Sequence, residues 1–203
     1  MKKLLFLSMS ICILIFLIIS CSAPARTVTR VETSTVTDLS GRWNDTDAKL
    51  VSQEMISDLL SRAWLSDYKT EKGKKPVVIV GTVRNKSSEH INTELFTKEI
   101  EKELINSGKV TFVASKSERM EIREERIDQQ YFASVETAKE LANETGADFM
   151  LIGSINSVVD AIEGQKAILY KTNMELIDLE TNTKAWIGDK EIKKIIEQKK
   201  HKW

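Results

Sequence analysis

Four consecutive residues, Ser87-Ser88-Glu89-His90, hold a hydroxyl, a carboxylate and an imidazole, the groups used in acyl-transfer chemistry. That chemistry needs nucleophile, base and orienter to converge from separate elements around an oxyanion hole, which four neighbours on one loop do not do. The serines read instead as turn formers and His90 as a loop residue beside a helix start. Metal chemistry is no better supplied, because the imidazoles are His90 and His201 and the thiols are Cys12 and Cys21, with no ligand spacing among them. The eight glycines stand singly, so no glycine-rich phosphate loop is present. A hydrolase built on Ser88 and His90 is therefore the weakest reading. No enzyme activity, cofactor or metal is expected.

Chemistry of a different kind is written around Cys21. Lys2 and Lys3 precede a nearly continuous apolar run from Leu4 to Ile19, broken only by Ser8, Met9, Ser10 and Cys12. The run is shorter than the ~20 apolar residues of a membrane helix and ends in small residues, which marks a secretory signal. Ile18-Ile19-Ser20-Cys21 resembles a bacterial lipobox, whose cysteine is acylated and becomes the first residue after cleavage. Residues 1–20 are expected to be the signal peptide and 21–37 a lipidated tether.

The whole chain has 203 residues and balances 30 Lys and Arg against 30 Asp and Glu. Removing a signal with two lysines and no acids gives a formal charge of minus two, so nucleic acid is not an expected partner. Cys12 leaves with the signal and Cys21 becomes a thioether, so no disulfide is expected. The residues after the signal suffice for one cored domain, expected to be monomeric.

Ser22 to Thr37 is rich in Ser, Thr, Ala and Arg and carries too little apolar surface to order itself. Its sixteen residues span about 50 Å at most. Val28, Val31 and Val36 are compatible with an alternative edge strand. The domain then runs from Asp38 to Lys194, with a basic tail over 195–203. A helix capped by Asn44, Asp45 or Thr46 is expected to reach about Ala63, burying Ala48, Val51, Met55 and Leu59, with Ile56 and Leu60 widening the stripe. Lys69–Lys75 reads as a charged loop. Pro76 introduces the strand Val77–Val80, which ends near Arg84, and Asn85–His90 is a polar loop. Asn92 or Thr93 caps a second helix with Leu95, Phe96, Ile100 and Leu104 facing inward, stopped at Gly108. Val110–Val113 completes a βαβ unit. Helices over Ser117–Gln129 and Ser134–Thr145 follow.

After Gly146 the period is two. Ala147–Val159, Ala167–Asp178 and Ala185–Ile192 are expected strands joined at Glu163-Gly164 and at Glu180–Thr183. Ile168, Tyr170, Met174 and Leu176 alternate with Lys171, Asn173 and Glu175, so one sheet face is covered and the other wet. Lys193 onward reads as a frayed last helix. The fold class is α+β: a mixed four- to five-stranded sheet, about four helices mainly on one face, and a βαβ unit followed by an antiparallel meander.

Arg119, Arg123 and Arg126 share one helix face, beside a stripe of Glu118, Glu121 and Glu125. A solvated face competes there with a protein-docking one. Trp43, beside Arg42 in a polar octet, and Trp186 are residue types that anchor interfaces, with burial in the core as the alternative.

Four stretches occur together and in order. They are Asp38-Leu39-Ser40-Gly41-Arg42-Trp43-Asn44-Asp45, Val83-Arg84-Asn85-Lys86-Ser87-Ser88-Glu89-His90-Ile91, Gly146-Ala147-Asp148 with Gly153-Ser154-Ile155, and Trp186-Ile187-Gly188. On these the chain resembles, from Asp38 to about Lys194, the LpoB family of lipoprotein activators of penicillin-binding proteins. The third stretch is shared with the TolB amino-terminal domain and CsgG-type lipoproteins. The resemblance implies a four-stranded sheet flanked by four helices, no catalysis, and docking onto a bifunctional class A penicillin-binding protein whose synthesis rates rise. It implies an anchor in the outer membrane facing the periplasm, which Ser22 after the lipid cysteine also favours. Family members carry a long proline-rich tether, whereas this one is short with one proline, so an inner-membrane anchor is the alternative. The docking residues expected by type are Arg42, Trp43, Arg84, Asn85, Glu89, His90, Arg119, Arg123 and Arg126. The rival class is an envelope assembly lipoprotein of the CsgG or TolB kind, acting through oligomerisation. The lysines and Glu175 of the central hairpin argue against a membrane pore.

Overall fold

The computed structural model describes residues 27–33, 35–132 and 146–197. The expected signal peptide, Cys21, the expected helix Ser134–Thr145 and residues 198–203 lie outside the described residues. The chain divides into two units, residues 1–35 and 36–203. Among the described residues up to Thr37 no strand forms, so the edge strand through Val28, Val31 and Val36 is not observed.

The second unit begins with α1 (Asp45–Leu59). Asn44 caps it reciprocally: its side chain accepts from the Asp47 N–H at 3.1 Å while the Asp47 carboxylate accepts from the Asn44 N–H at 3.0 Å. Val51, Met55, Ile56 and Leu59 are buried as their spacing requires. The helix stops four residues short of the expected end, and a separate helix, α2 (Ala63–Lys72), occupies most of the expected charged loop. The indole N–H of Trp64 donates to the Leu59 carbonyl at 2.7 Å, satisfying an acceptor that the break exposes. Trp64 and Tyr68 then pack edge-on against Phe149, at 5.1 and 5.4 Å between ring centroids.

β1 (Val77–Lys86) leads to α3 (Thr93–Asn106), capped by Asn92, and to a two-residue strand, β2 (Thr111–Phe112). Phe96, Ile100 and Leu104 are buried as expected, but Leu95 is half exposed, because it falls beside the stripe instead of on it. After α4 (Lys116–Phe132) come β3 (Phe149–Ile162), β4 (Gln165–Asp178) and β5 (Lys184–Glu197). The expected last helix is replaced at its start by strand, since β5 keeps its pairing with β4 through Glu197.

The sheet order is β2-β1-β3-β4-β5. β1 is parallel to both β2 and β3, and the last three strands form the antiparallel meander. The fold is α+β with a mixed five-stranded sheet, and the short strand is β2. α1 packs on α3 and β5, and α3 packs on β1 and β2, so both cover one sheet face, here called the inner face. A bulge between Val80 and Val83 inserts one extra residue against β3. It reverses the alternation, turning Val83 into the core and Arg84 onto the outer face.

Candidate functional site

The first two sequence stretches meet at one point. The backbone N–H of Trp43 donates to the Tyr170 hydroxyl at 3.1 Å and to the Glu89 carboxylate at 3.3 Å. The Tyr170 hydroxyl donates in turn to the Gly41 carbonyl at 3.4 Å. The Trp43 ring stands edge-on to Phe96 and to Tyr170, with centroids 6.1 and 5.6 Å away. Burial, and secondarily the Glu89 carboxylate, push the Tyr170 hydroxyl well above its ordinary pKa, so it remains protonated and able to donate.

The loop that delivers Glu89 is held by its own polar side chains. Asn85 donates to the Glu89 carbonyl at 2.7 Å and accepts from the Ser87 N–H at 2.9 Å and from its hydroxyl at 2.7 Å. Ser88 bonds to Ser157 on β3 through its N–H, at 3.2 Å. Neither serine is hydrogen-bonded to His90 among the described residues, so the letters of a triad form a structured turn. The described residues also hold no cluster of three metal-ligating side chains.

The octet that delivers Trp43 is fastened from the other side. Lys194, on the inner face of β5 and only 8% exposed, places its ammonium 2.5 Å from Asp38, 2.6 Å from Asp47 and 3.0 Å from the Arg42 carbonyl. Burial alone would lower the Lys194 pKa, but its bonds to the two aspartates win and raise it. The Lys194 ammonium correspondingly holds the Asp38 carboxyl below the usual range. Gly41, at φ 67°, lies where a Cβ would come within 2.5 Å of Ile196.

The structure therefore brings Arg42, Trp43, Asn85, Glu89 and His90 to one end of the inner face, with Arg42 and His90 exposed and Trp43 and Glu89 half-buried. Arg84 is on the opposite face, in a shallow basin with Lys86, Ser154 and Asn173. The arginine stripe is on α4, beyond β2 and away from the β5 edge; Arg119 donates to the Ala114 carbonyl at 2.7 Å. Neighbouring Glu118 accepts from Lys98 at 2.7 Å and from the Ser115 N–H at 2.8 Å, which brings its carboxyl down to about 2. Trp186 belongs to the core: its N–H donates to Asp58 at 2.9 Å and its ring lies over Gly188. Sequence reasoning missed Tyr170 and Lys194 as parts of the site. Their alternation with buried residues of the same strands was the available signal.

The family model for the peptidoglycan-synthase activator LpoB matches residues 47–192, from the first turn of α1 into β5. No curated protein matches the chain. Among solved structures, the LpoB C-terminal domain from Escherichia coli is 20% identical, with a TM-score of 0.46, over 72% of this chain and 98% of that one. The corresponding domain from Salmonella enterica is 19% identical over the same shares, with a TM-score of 0.42. Lipoprotein GNA1162 from Neisseria meningitidis is 13% identical, with a TM-score of 0.37, over 59% of this chain and 83% of its own. With a family model matched across more than half of its length, the chain belongs to the peptidoglycan-synthase activator LpoB family.

Proposed function

We infer that this chain is a non-enzymatic activator that binds a class A penicillin-binding protein and raises its peptidoglycan synthesis. The observation that carries the reading is the family match over residues 47–192, which takes in every element of the domain from α1 to β5. Activation by binding requires tighter contact with a competent conformation of the synthase than with its resting one. The surface assigned to that contact is the inner-face end carrying Arg42, Trp43 and His90, where an exposed guanidinium, an exposed imidazole and a half-buried indole stand on a hydrogen-bonded base. Arg84 and the stripe of Arg119, Arg123 and Arg126 are secondary, being placed elsewhere. The anchor is a lipid on Cys21 in the outer membrane, facing the periplasm. Density-gradient separation of envelopes separates this from an inner-membrane anchor.

The test is a pull-down from detergent-solubilised envelopes of the source organism, using residues 22–203 as bait. Retention of a class A penicillin-binding protein, reduced about tenfold by Arg42→Glu with His90→Glu, supports the reading. Retention only of the chain itself or of outer-membrane assembly proteins transfers the protein to the assembly class. Undiminished retention by the double variant moves the docking surface elsewhere.

A further inference from the structure

β5 is an outer strand of the sheet, paired on one side with β4 along its length. A 14-residue edge presents a row of backbone donors and acceptors and templates association unless its side chains prevent it. On the outer face β5 shows Ile187, Asp189, Glu191, Lys193 and Ile195, with Ile187 65% and Ile195 68% exposed. The order apolar, acid, acid, base, apolar is self-complementary about its centre.

Two copies of β5 related by a two-fold axis normal to the sheet pair antiparallel, and directly opposed residues then share a face. A pairing centred on Glu191 sets Asp189 against Lys193 of the second copy twice, and Ile187 against Ile195 of the second copy twice. Lys193 has no ion partner among the described residues, and Asp189 has the exposed Lys171 at 3.1 Å. Glu191 meets its own copy, but each carboxylate has Lys171 at 2.9 Å to offset the repulsion. Neighbouring registers are worse. Centring on Lys190 opposes Asp189 to Glu191 twice; centring on Ile192 gains Glu191 against Lys193 twice but opposes Lys190 to Lys194 twice and loses both isoleucine pairs, which then face Asp189 and Glu197. Like charges directly opposed across strands are destabilising, so the edge charges act as a register key.

We propose that the outer edge of β5 is a self-association site, at which a second copy of this chain pairs antiparallel about Glu191 to give a ten-stranded sheet. This replaces the monomeric expectation and is independent of the synthase reading. The test is sedimentation velocity of the full chain in detergent over a range of concentrations. Wild type forms a concentration-dependent dimer. Asp189→Lys and Lys193→Asp each weaken it about tenfold, because each creates two like-charge pairs. Mixing the two variants restores it, since the lysines of one chain then face the aspartates of the other at both positions. In wild type, zero-length carbodiimide coupling links Asp189 to Lys193. Four residues along one strand span about 13 Å, beyond a direct bond within one chain. A monomer at every concentration overturns the proposal, as does a dimer indifferent to both variants. Loss without recovery on mixing, together with an absent Asp189–Lys193 link, overturns this register.

Discussion

The two faces of the carboxy-terminal meander are built from the same three strands and have opposite fates. Inward, Ile168, Tyr170, Met174, Leu176 and Trp186 are buried under α1 and the polar octet. Outward, Val158, Ile187 and Ile195 stand in solvent among charged residues. Alternation alone gives both faces similar apolar residues at their far ends. What separates them is cover: α1 and α3 lie on the inner face, and the segment Asp38–Asp45 closes its end with the Trp43 ring on Phe96 and Tyr170 and with ions at Lys194. A largely polar stretch can therefore close the end of a core when one indole and one buried charge hold it there.

The sharpest way to break this difference is Lys194→Ala, which leaves Asp47 buried without its cation. We expect a loss of about 3–5 kcal/mol in denaturant unfolding, and nearly as large a one for Lys194→Met, which restores the packing but still leaves Asp47 without its cation. Equal, negligible losses for both would remove the ionic closure from the account. The pH dependence follows from the lowered Asp38 pKa. Its contribution is complete above the unfolded value near 3.9 and fades as pH falls through the folded value, so acid unfolding of Lys194→Met should lack that component.

Gly188→Ala comes next, because a Cβ there would overlap the Trp186 ring; a cost of about 1–3 kcal/mol is expected from the shift in unfolding midpoint. Tyr170→Phe removes the hydroxyl shared by Trp43 and Gly41 and should cost about 1 kcal/mol, with Trp43 fluorescence reporting a looser ring before global unfolding. On the outer face Ile187→Ser should change stability by less than about 0.5 kcal/mol. A larger loss in dilute solution would mean that this face is covered within a single chain.

Much of the inner layer was legible in the sequence, because its signals are local: a cap at Asn44, Asp45 or Thr46 and another at Asn92 or Thr93, which the structure narrows to the two asparagines, the three- and four-residue spacing from Val51 to Leu59, and the period of two from Ile168 to Leu176. The break after Leu59 was not. No Gly or Pro marks it, the apolar stripe continues to Leu60, and the lysines of α2 resemble a loop although Lys and Glu favour helix. The end of β5 was misread because Lys194 looks like a tail residue until Asp38 and Asp47, more than a hundred positions earlier, are brought to it. The same limit applies to the candidate site. Trp43 and Glu89 were each singled out by type, but that one backbone N–H joins them through the fold is a long-range fact. Arg84 shows how a single bulge residue can move an expected site residue to the other face.

The fastening of Asp38 also has a mechanical side. The chain enters the octet at this aspartate, and the Asn44 side chain ties the entry by donating to the Thr37 carbonyl at 3.2 Å and to Asp38 at 2.6 Å. Three polar bonds at Asn44 and Lys194 thus stand between the entry of the chain at Thr37 and the apolar core. Polar bonds of this kind re-form once broken, so the entry is the reversible part of the octet's attachment, and the Trp43 ring against Phe96 and Tyr170 is the remainder.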